Sequence, residues 1–269
     1  KVSIVSPKVQ TTRARVLGIF SLAASQVIFV DTPGIFKPRR RLDRAMVAAA
    51  WNGATNADRI LLLVDAANGI DTNTNAILQK LVPTNRRVVL GINKVDLVKK
   101  ESLLVLTTEL ISFGIFDEIF MISAETGDGV QGLLKFLAND VPEGPWLFPK
   151  EQISDMPERL LAAEITREKL YLQLQQELPY VSTVETESWD DKTDGAVHIN
   201  QVIYVQRKTQ KAIILGKNGR QIKAIGVAAR EELESIFDCS IHLFLFVKVR
   251  EKWGDDPERY REWDLDFNA

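Results

Sequence analysis

The chain has 269 residues, 45% of them apolar, enough to bury the cores of two domains of ordinary size. A net charge of −2 argues against a globally basic nucleic-acid binder, and a single cysteine, Cys239, excludes an intrachain disulfide and fits a reducing compartment. No apolar run approaches the roughly 18 residues of a membrane span, and Lys1–Pro7 does not read as a secretory signal.

Up to about Val141 the pattern is strand, turn, helix. Strands are predicted over Gln26–Val30, Arg59–Val64, Arg87–Ile92 and Glu118–Ile122, and helices over Leu42–Ala57, Asn73–Leu81, Leu103–Phe113 and Val130–Ala138. Continuous apolar strands alternating with helices imply a parallel sheet covered on both faces. Polar residues collect where the strands end, the edge at which open α/β sheets bind ligands. Three prolines and a glycine between Val141 and Pro149 then break the pattern. Beyond them the spacing predicts a helix over Pro157–Leu178, paired strands over Val181–Trp189 and Val197–Val205, and a short helix over Gln210–Leu215. A tight turn at Gly216–Gly219, a helix over Gln221–Phe237 and a strand over Ser240–Val249 follow. The acidic tail Asp255–Asp266, with aromatic Tyr260, Trp263 and Phe267, is expected to dock on the protein.

Charge is unevenly distributed. Gly195–Arg230 holds no Asp or Glu, yet Arg207, Lys208, Lys211, Lys217, Arg220, Lys223 and Arg230 fall there, and carboxylates crowd on both sides. Such an island suggests a local polyanion site, with a solvated surface as the alternative. Within it, Gly216-Lys217-Asn218-Gly219 is followed by Arg220 and Lys223 on a helix. Two glycines let a nucleic-acid backbone approach closely. Ile214, Ile222 and Ile225 are candidates for an apolar floor under bases or for ordinary core. His198 and His242 lack metal-ligand spacing and are expected to pack or face solvent.

Three strand-end motifs and one upstream stretch point to a nucleotide. In Asn93-Lys94-Val95-Asp96 the carboxylate can accept two hydrogen bonds from the N1 and N2 groups of guanine, a pair that adenine lacks. The Lys94 stem can cover one face of the base, and Asn93 can tie neighbouring loops together. Ser123-Ala124-Glu125 closes the next strand. Asp31-Thr32-Pro33-Gly34, followed by Ile35, offers a carboxylate for a magnesium ion and a glycine N–H for a terminal phosphate. Thr11 or Thr12 could add a hydroxyl, because hard cations prefer oxygen. Each motif alone could be an ordinary turn, and Asp65 is expected only to cap a strand end; their order along the chain is what a GTPase requires.

With these motifs, and with the stretch Ser3–Arg13, the chain resembles the Era family of GTP-binding proteins over essentially its whole length. The resemblance implies an α/β fold. A P-loop-type GTPase domain with a mostly parallel sheet would cover residues 1–141, a linker 142–156, and an α+β type II KH domain 157–269. It implies GTP or GDP with magnesium as cofactors, and it places the Ala124 N–H on the guanine O6. It further implies binding to the 3′ end of small-subunit ribosomal RNA during 30S assembly, and not to DNA. A cytoplasmic location follows, with peripheral contact at the inner membrane left open. The sequence departs from the family in two respects. No Gly-Lys-Ser or Gly-Lys-Thr phosphate loop occurs among these residues, so the chain as given is expected to be inactive. Ile35 stands where Ras-like proteins place a water-orienting glutamine, as in the family, so no catalytic residue is assigned. The alternative is a non-hydrolysing RNA-binding module on a degenerate nucleotide-binding scaffold.

Overall fold

The computed structural model describes residues 1–6, 8, 11–174 and 178–269. Pro7, Val9 and Gln10 of the Ser3–Arg13 stretch, and residues 175–177 at the end of the helix expected over 157–178, lie outside the described residues.

The first half opens with a hairpin. β1 (Val16–Leu22) pairs antiparallel with β2 (Ser25–Asp31), in register from Val16↔Asp31 to Leu22↔Ser25. β1 has no counterpart in the sequence reading. Its two-residue turn is Ala23-Ala24, with Ala23 at φ 52°, where such turns ordinarily announce themselves with Asn or Gly. There follow α1 (Arg41–Asn56), β3 (Ile60–Asp65), α2 (Thr72–Leu81), β4 (Val88–Asn93), α3 (Lys100–Ile111), β5 (Phe116–Met121) and α4 (Val130–Asp140). β3, β4 and β5 form a parallel sheet with β4 central. Val88, Val89, Leu90 and Ile92 of β4 are fully buried, as a strand covered on both faces must be. α2 and α3 cover one face through Leu78, Leu81, Leu103, Leu106 and Leu110. α4 covers the other through Leu133 and Leu137, and the same helix packs on Val27 of the hairpin. No ladder joins β2 to β3 among the described residues; Val27 and Phe29 of the hairpin share one apolar cluster with α4 and with Leu61 and Val89 of the parallel sheet.

The second half has the expected order of elements. α5 (Glu158–Gln173) precedes β6 (Ser182–Asp191) and β7 (Val197–Val205), then α6 (Lys208–Leu215), α7 (Arg220–Phe237) and β8 (Ile241–Val249). β7 lies between β6, antiparallel to it, and β8, parallel to it. Leu170 of α5, Ile214 of α6 and Ile225 of α7 are buried on Val184, Ile203, Val205 and Val247 of the sheet.

The aromatic tail docks, and on the first half. Trp253, Tyr260, Trp263 and Leu265 bury against Leu42, Ala45 and Met46 of α1. Tyr260 lies in α8 (Pro257–Glu262). Its hydroxyl donates to the Gly254 carbonyl at 2.6 Å, and Trp253 Nε1 donates to that of Val181 at 3.0 Å, so neither buried ring leaves a polar atom unsatisfied. Each such ring contributes about 1.5–3 kcal/mol of burial to this contact.

Candidate functional site

The base-reading motifs meet at the C-terminal edge of the parallel sheet. Asp65 and Asn93 are register partners at the ends of β3 and β4. Asn93 Oδ1 accepts from the Lys94 N–H at 2.8 Å and from the Ala124 N–H at 2.9 Å, tying the loop after β4 to the loop after β5. The Ala124 N–H that the resemblance assigns to a guanine oxygen is engaged by Asn93 in this structure. Lys94 has a left-handed backbone (φ 65°), and its Nζ lies 2.6 Å from Asp65 Oδ2. Burial alone would raise the Asp65 carboxyl, but the Lys94 ammonium and the Ala67 amide outweigh it and hold the group below the ordinary carboxylate range. Asp65 thus both caps its strand and anchors the Lys94 stem. Asp96 is exposed on the short turn Val95–Leu97, and among the described residues its carboxylate has no protein donor. Both oxygens are free to accept from a ligand.

The Ser123 loop is held from within. Ser123 is buried, its Oγ accepts from the Thr126 N–H, and its own N–H donates to the Asp128 carbonyl. Gly129 closes the loop at φ 69°; a Cβ there would stand 2.2 Å from the Met121 carbonyl oxygen. The sequence reading stopped at Glu125 and missed this support, although Gly127-Asp128-Gly129 carries a turn signal. Ala124 and Glu125 are exposed beside it.

A second group forms at the end of β2. Asp31 Oδ2 accepts from Ser3 Oγ at 2.9 Å and from Thr12 Oγ1 at 3.2 Å. Thr11 points elsewhere, its hydroxyl bonded to Ser6 Oγ at 2.6 Å and to the Lys8 carbonyl at 2.7 Å. Of the two candidate threonines, Thr12 is the one at the carboxylate, and Ser3 joins it unannounced. Burial pushes the Asp31 carboxyl above its ordinary range, against the opposing pull of the two hydroxyls. A carboxylate with two hydroxyls is an all-oxygen donor set, which suits magnesium, an ion that takes one or two carboxylates and draws its other ligands from water and substrate phosphates. Among the described residues no three or more His, Cys, Asp or Glu are grouped so that they could hold a metal ion by themselves. Thr32 packs on Gly53, Pro33 is buried, Gly34 is exposed with open space around its Cα, and Ile35 is half-buried. Among the described residues no hydrogen bond or ion pair joins the Asp31 group to the Asn93 group.

In the second half, Gly216–Gly219 links α6 to α7. Gly216 has φ 69° and ψ 176°, Asn218 φ 54° and Gly219 φ 73°. Lys217, Asn218, Arg220 and Lys223 are exposed, and none has a side-chain partner among the described residues. They surround the N-terminus of the 18-residue α7, whose first turn holds no acid, an arrangement that favours a phosphate. Arg230, by contrast, pairs with Glu234. Ile214 and Ile225 are fully buried and Ile222 packs on the same core, so these three are core and do not form an open floor. Ile213, 58% exposed on α6, and Val227, 39% exposed on α7, are the apolar side chains at this surface.

Comparison with known proteins bears on both sites. Residues 1–94 match the family model described as 50S ribosome-binding GTPase, and residues 177–254 match that of the KH domain. The chain is similar to GTPase Era of Rhizobium meliloti (strain 1021), 58% identical over 99% of this chain and 85% of that one. GTPase Era of Brucella suis biovar 1 is 57% identical over 99% and 86%. Among solved structures it is similar to a variant of Aquifex aeolicus Era bound to GDP.AlF4−, with a TM-score of 0.91 and 38% identity over 98% of this chain and 90% of that chain. It is equally similar to Era in complex with MgGDPNP and nucleotides 1506–1542 of 16S ribosomal RNA, with a TM-score of 0.92 and the same identity and coverage.

Proposed function

This chain belongs to the Era family of GTPases, and from that premise we propose that it binds and hydrolyses GTP and couples its nucleotide state to ribosomal RNA during 30S assembly. The observation that carries the reading is the pairing of an exposed, donor-free Asp96 with a loop–loop tie through Asn93, on a chain that also presents a cationic Gly-x-x-Gly turn. Asp96 reads guanine through its N1 and N2 groups. Lys94, fixed by Asp65, lays its stem along the base, and Asn93 and Ser123 hold Ala124 at its edge. At the other end Asp31 and Thr12 hold magnesium, which when bound neutralises charge on the terminal phosphates, and the Gly34 N–H contacts the last of them. With apolar Ile35 next to Gly34, no side chain of this stretch serves as a base. Hydrolysis then relies on positioning and electrostatics.

The phosphate-binding element is the part these residues do not supply. The break between β2 and β3, with the apolar side chain of Leu63 54% exposed in a strand whose other residues are buried or half-buried, supports an inner strand and a phosphate loop seated there. These 269 residues alone would bind GTP weakly and would not turn it over. The boundaries at 141 and 157 divide the two activities, with residues 142–156 as linker. The RNA is the 3′ region of small-subunit ribosomal RNA, clamped by Gly216–Gly219 with Lys217, Arg220 and Lys223 at its phosphates. No described helix is long and apolar enough to cross a membrane; we place the protein in the cytoplasm, with any membrane contact peripheral.

Calorimetry on the full-length protein with GTP, ATP and xanthosine triphosphate tests the reading. Asp96→Asn should weaken GTP and favour the xanthosine nucleotide, whose extra carbonyl suits an amide donor. Unchanged GTP affinity removes Asp96 from the site. Absence of nucleotide binding in the wild type would instead favour the scaffold alternative.

A further inference from the structure

We propose that Arg167, on the first helix of the RNA-binding half, is a positioning residue for the magnesium end of the nucleotide site. This rests on the reading of Asp31 and Thr12 as that end.

The stretch that carries the metal hydroxyls is gripped along its length by α5 and the turn after it. The Val5 N–H donates to Glu168 Oε1 at 2.7 Å. Lys8 Nζ donates to the carbonyls of Tyr171 and Leu174. Arg13, itself 3% exposed, donates to the Ser182 carbonyl at 2.8 Å and to the Tyr171 hydroxyl at 3.1 Å. Between these anchors Arg167 Nη2 donates to the Thr11 carbonyl. That carbonyl belongs to the peptide bond joining Thr11 to Thr12, whose hydroxyl reaches Asp31. Fixing the peptide plane fixes where the Thr12 side chain starts, so the bond acts on the carboxylate partner one residue away.

The arginine is built to hold that carbonyl. It is 1% exposed, its Nε lies 2.7 Å from Glu164 Oε1, and Nη2 is bonded to Glu164 Oε2 as well. The bidentate carboxylate leaves the guanidinium no rotational freedom, a task that a lysine cannot perform. Nη1 is also buried, and among the described residues it has no acceptor. Buried donors are seldom left so. The charge also lies over the Tyr171 ring, 5.1 Å from its centroid, which together with Glu164 holds the guanidinium plane in place. Arg167 therefore carries information in both directions. Ordering of Thr12 by magnesium reaches α5, which packs on α7, the helix of the Gly-x-x-Gly turn.

The test is nucleotide affinity of the full-length protein by calorimetry, with magnesium and with chelator, for wild type, Arg167→Lys and Arg167→Gln. Outer partners of metal ligands typically contribute about 10–100-fold. The expected result is a loss of that order for the magnesium-dependent part of GTP affinity in both variants, with affinity in chelator unchanged. Equal losses with and without magnesium would mean a structural role only and overturn the proposal, as would no loss. Wild-type GTP affinity indifferent to magnesium would overturn the Asp31–Thr12 reading, and this proposal with it. Should the variants fail to fold, the wild type decides: the Arg167 Nε–H resonance in the GTP complex should shift when magnesium is added. An unmoved resonance refutes the link.

Discussion

The two glycines of the Gly216–Gly219 turn are not equivalent, and substituting each by alanine separates fold from RNA binding. A Cβ on Gly216 would stand 2.7 Å from Gln221 Cβ and 3.0 Å from the Gln221 nitrogen, well inside carbon contact distance, and Gln221 is fixed in the first turn of α7. Its backbone, at φ 69° and ψ 176°, lies in a region that is essentially glycine-only. Strain of roughly 1–3 kcal/mol and overpacking of similar size give about 2–6 kcal/mol for Gly216→Ala. Gly219 lies in the ordinary left-handed well (φ 73°, ψ 12°), with open space where a Cβ would go. Gly219→Ala should therefore cost only about 1–2 kcal/mol. Urea unfolding followed by amide exchange in β6, β7 and β8 reads the RNA-binding half alone. Gly219→Ala should keep that half folded and still lose about tenfold in single-stranded RNA affinity, because its methyl stands where the nucleic-acid backbone must approach. A Gly219→Ala variant less stable than Gly216→Ala would refute the reasoning.

Asp96→Asn should lose about 1.5–3 kcal/mol of GTP binding, roughly 10–150-fold, measured by calorimetry on the full-length protein. Replacing Lys217-Asn218 by Asp-Asp should abolish most single-stranded RNA affinity at an unchanged melting temperature, as the loop is exposed; a fluorescence titration at two salt concentrations and a melt check this. Asp31→Asn should stabilise the free protein in a pH-dependent way. The folded carboxyl is raised above its unfolded value, so its favourable contribution is full below about pH 4 and is lost as pH rises through the folded value. The amide does not ionise, so the variant should melt level with wild type in acid and above it at neutral pH, while losing magnesium-dependent nucleotide affinity.

Much of this architecture is legible in the sequence because periodicity reports burial. β4 reads as a buried strand from Val88 to Ile92, and α4 reads as a helix from the spacing of Val130, Leu133 and Leu137. α3 begins at Lys100, before the expected Leu103, because its first turn is polar. β1 was illegible because Ala23-Ala24 reverses the chain without a turn residue. At the nucleotide site, Asn93, Asp96 and Asp31 follow from pattern and position. The choice of Thr12 over Thr11 does not, because it depends on Ser6 and the Lys8 carbonyl engaging the Thr11 hydroxyl. Ile214 and Ile225 read equally well as floor or core. Only their burial against Val247 and Ile203 decides, leaving Ile213 and Val227 as the apolar side chains at the surface. The tail's aromatics were visible, but α1 as their seat required the fold.

The central claim is that one molecule couples a guanine-nucleotide site to a single-stranded RNA clamp. The most direct test is the affinity of the full-length protein for a short RNA of the 16S 3′ region, measured with magnesium and either GDP or a non-hydrolysable GTP analogue. The account expects affinities differing by about 1–3 kcal/mol, some 5–150-fold, in the wild type. Equal RNA affinity in the two nucleotide states would contradict it.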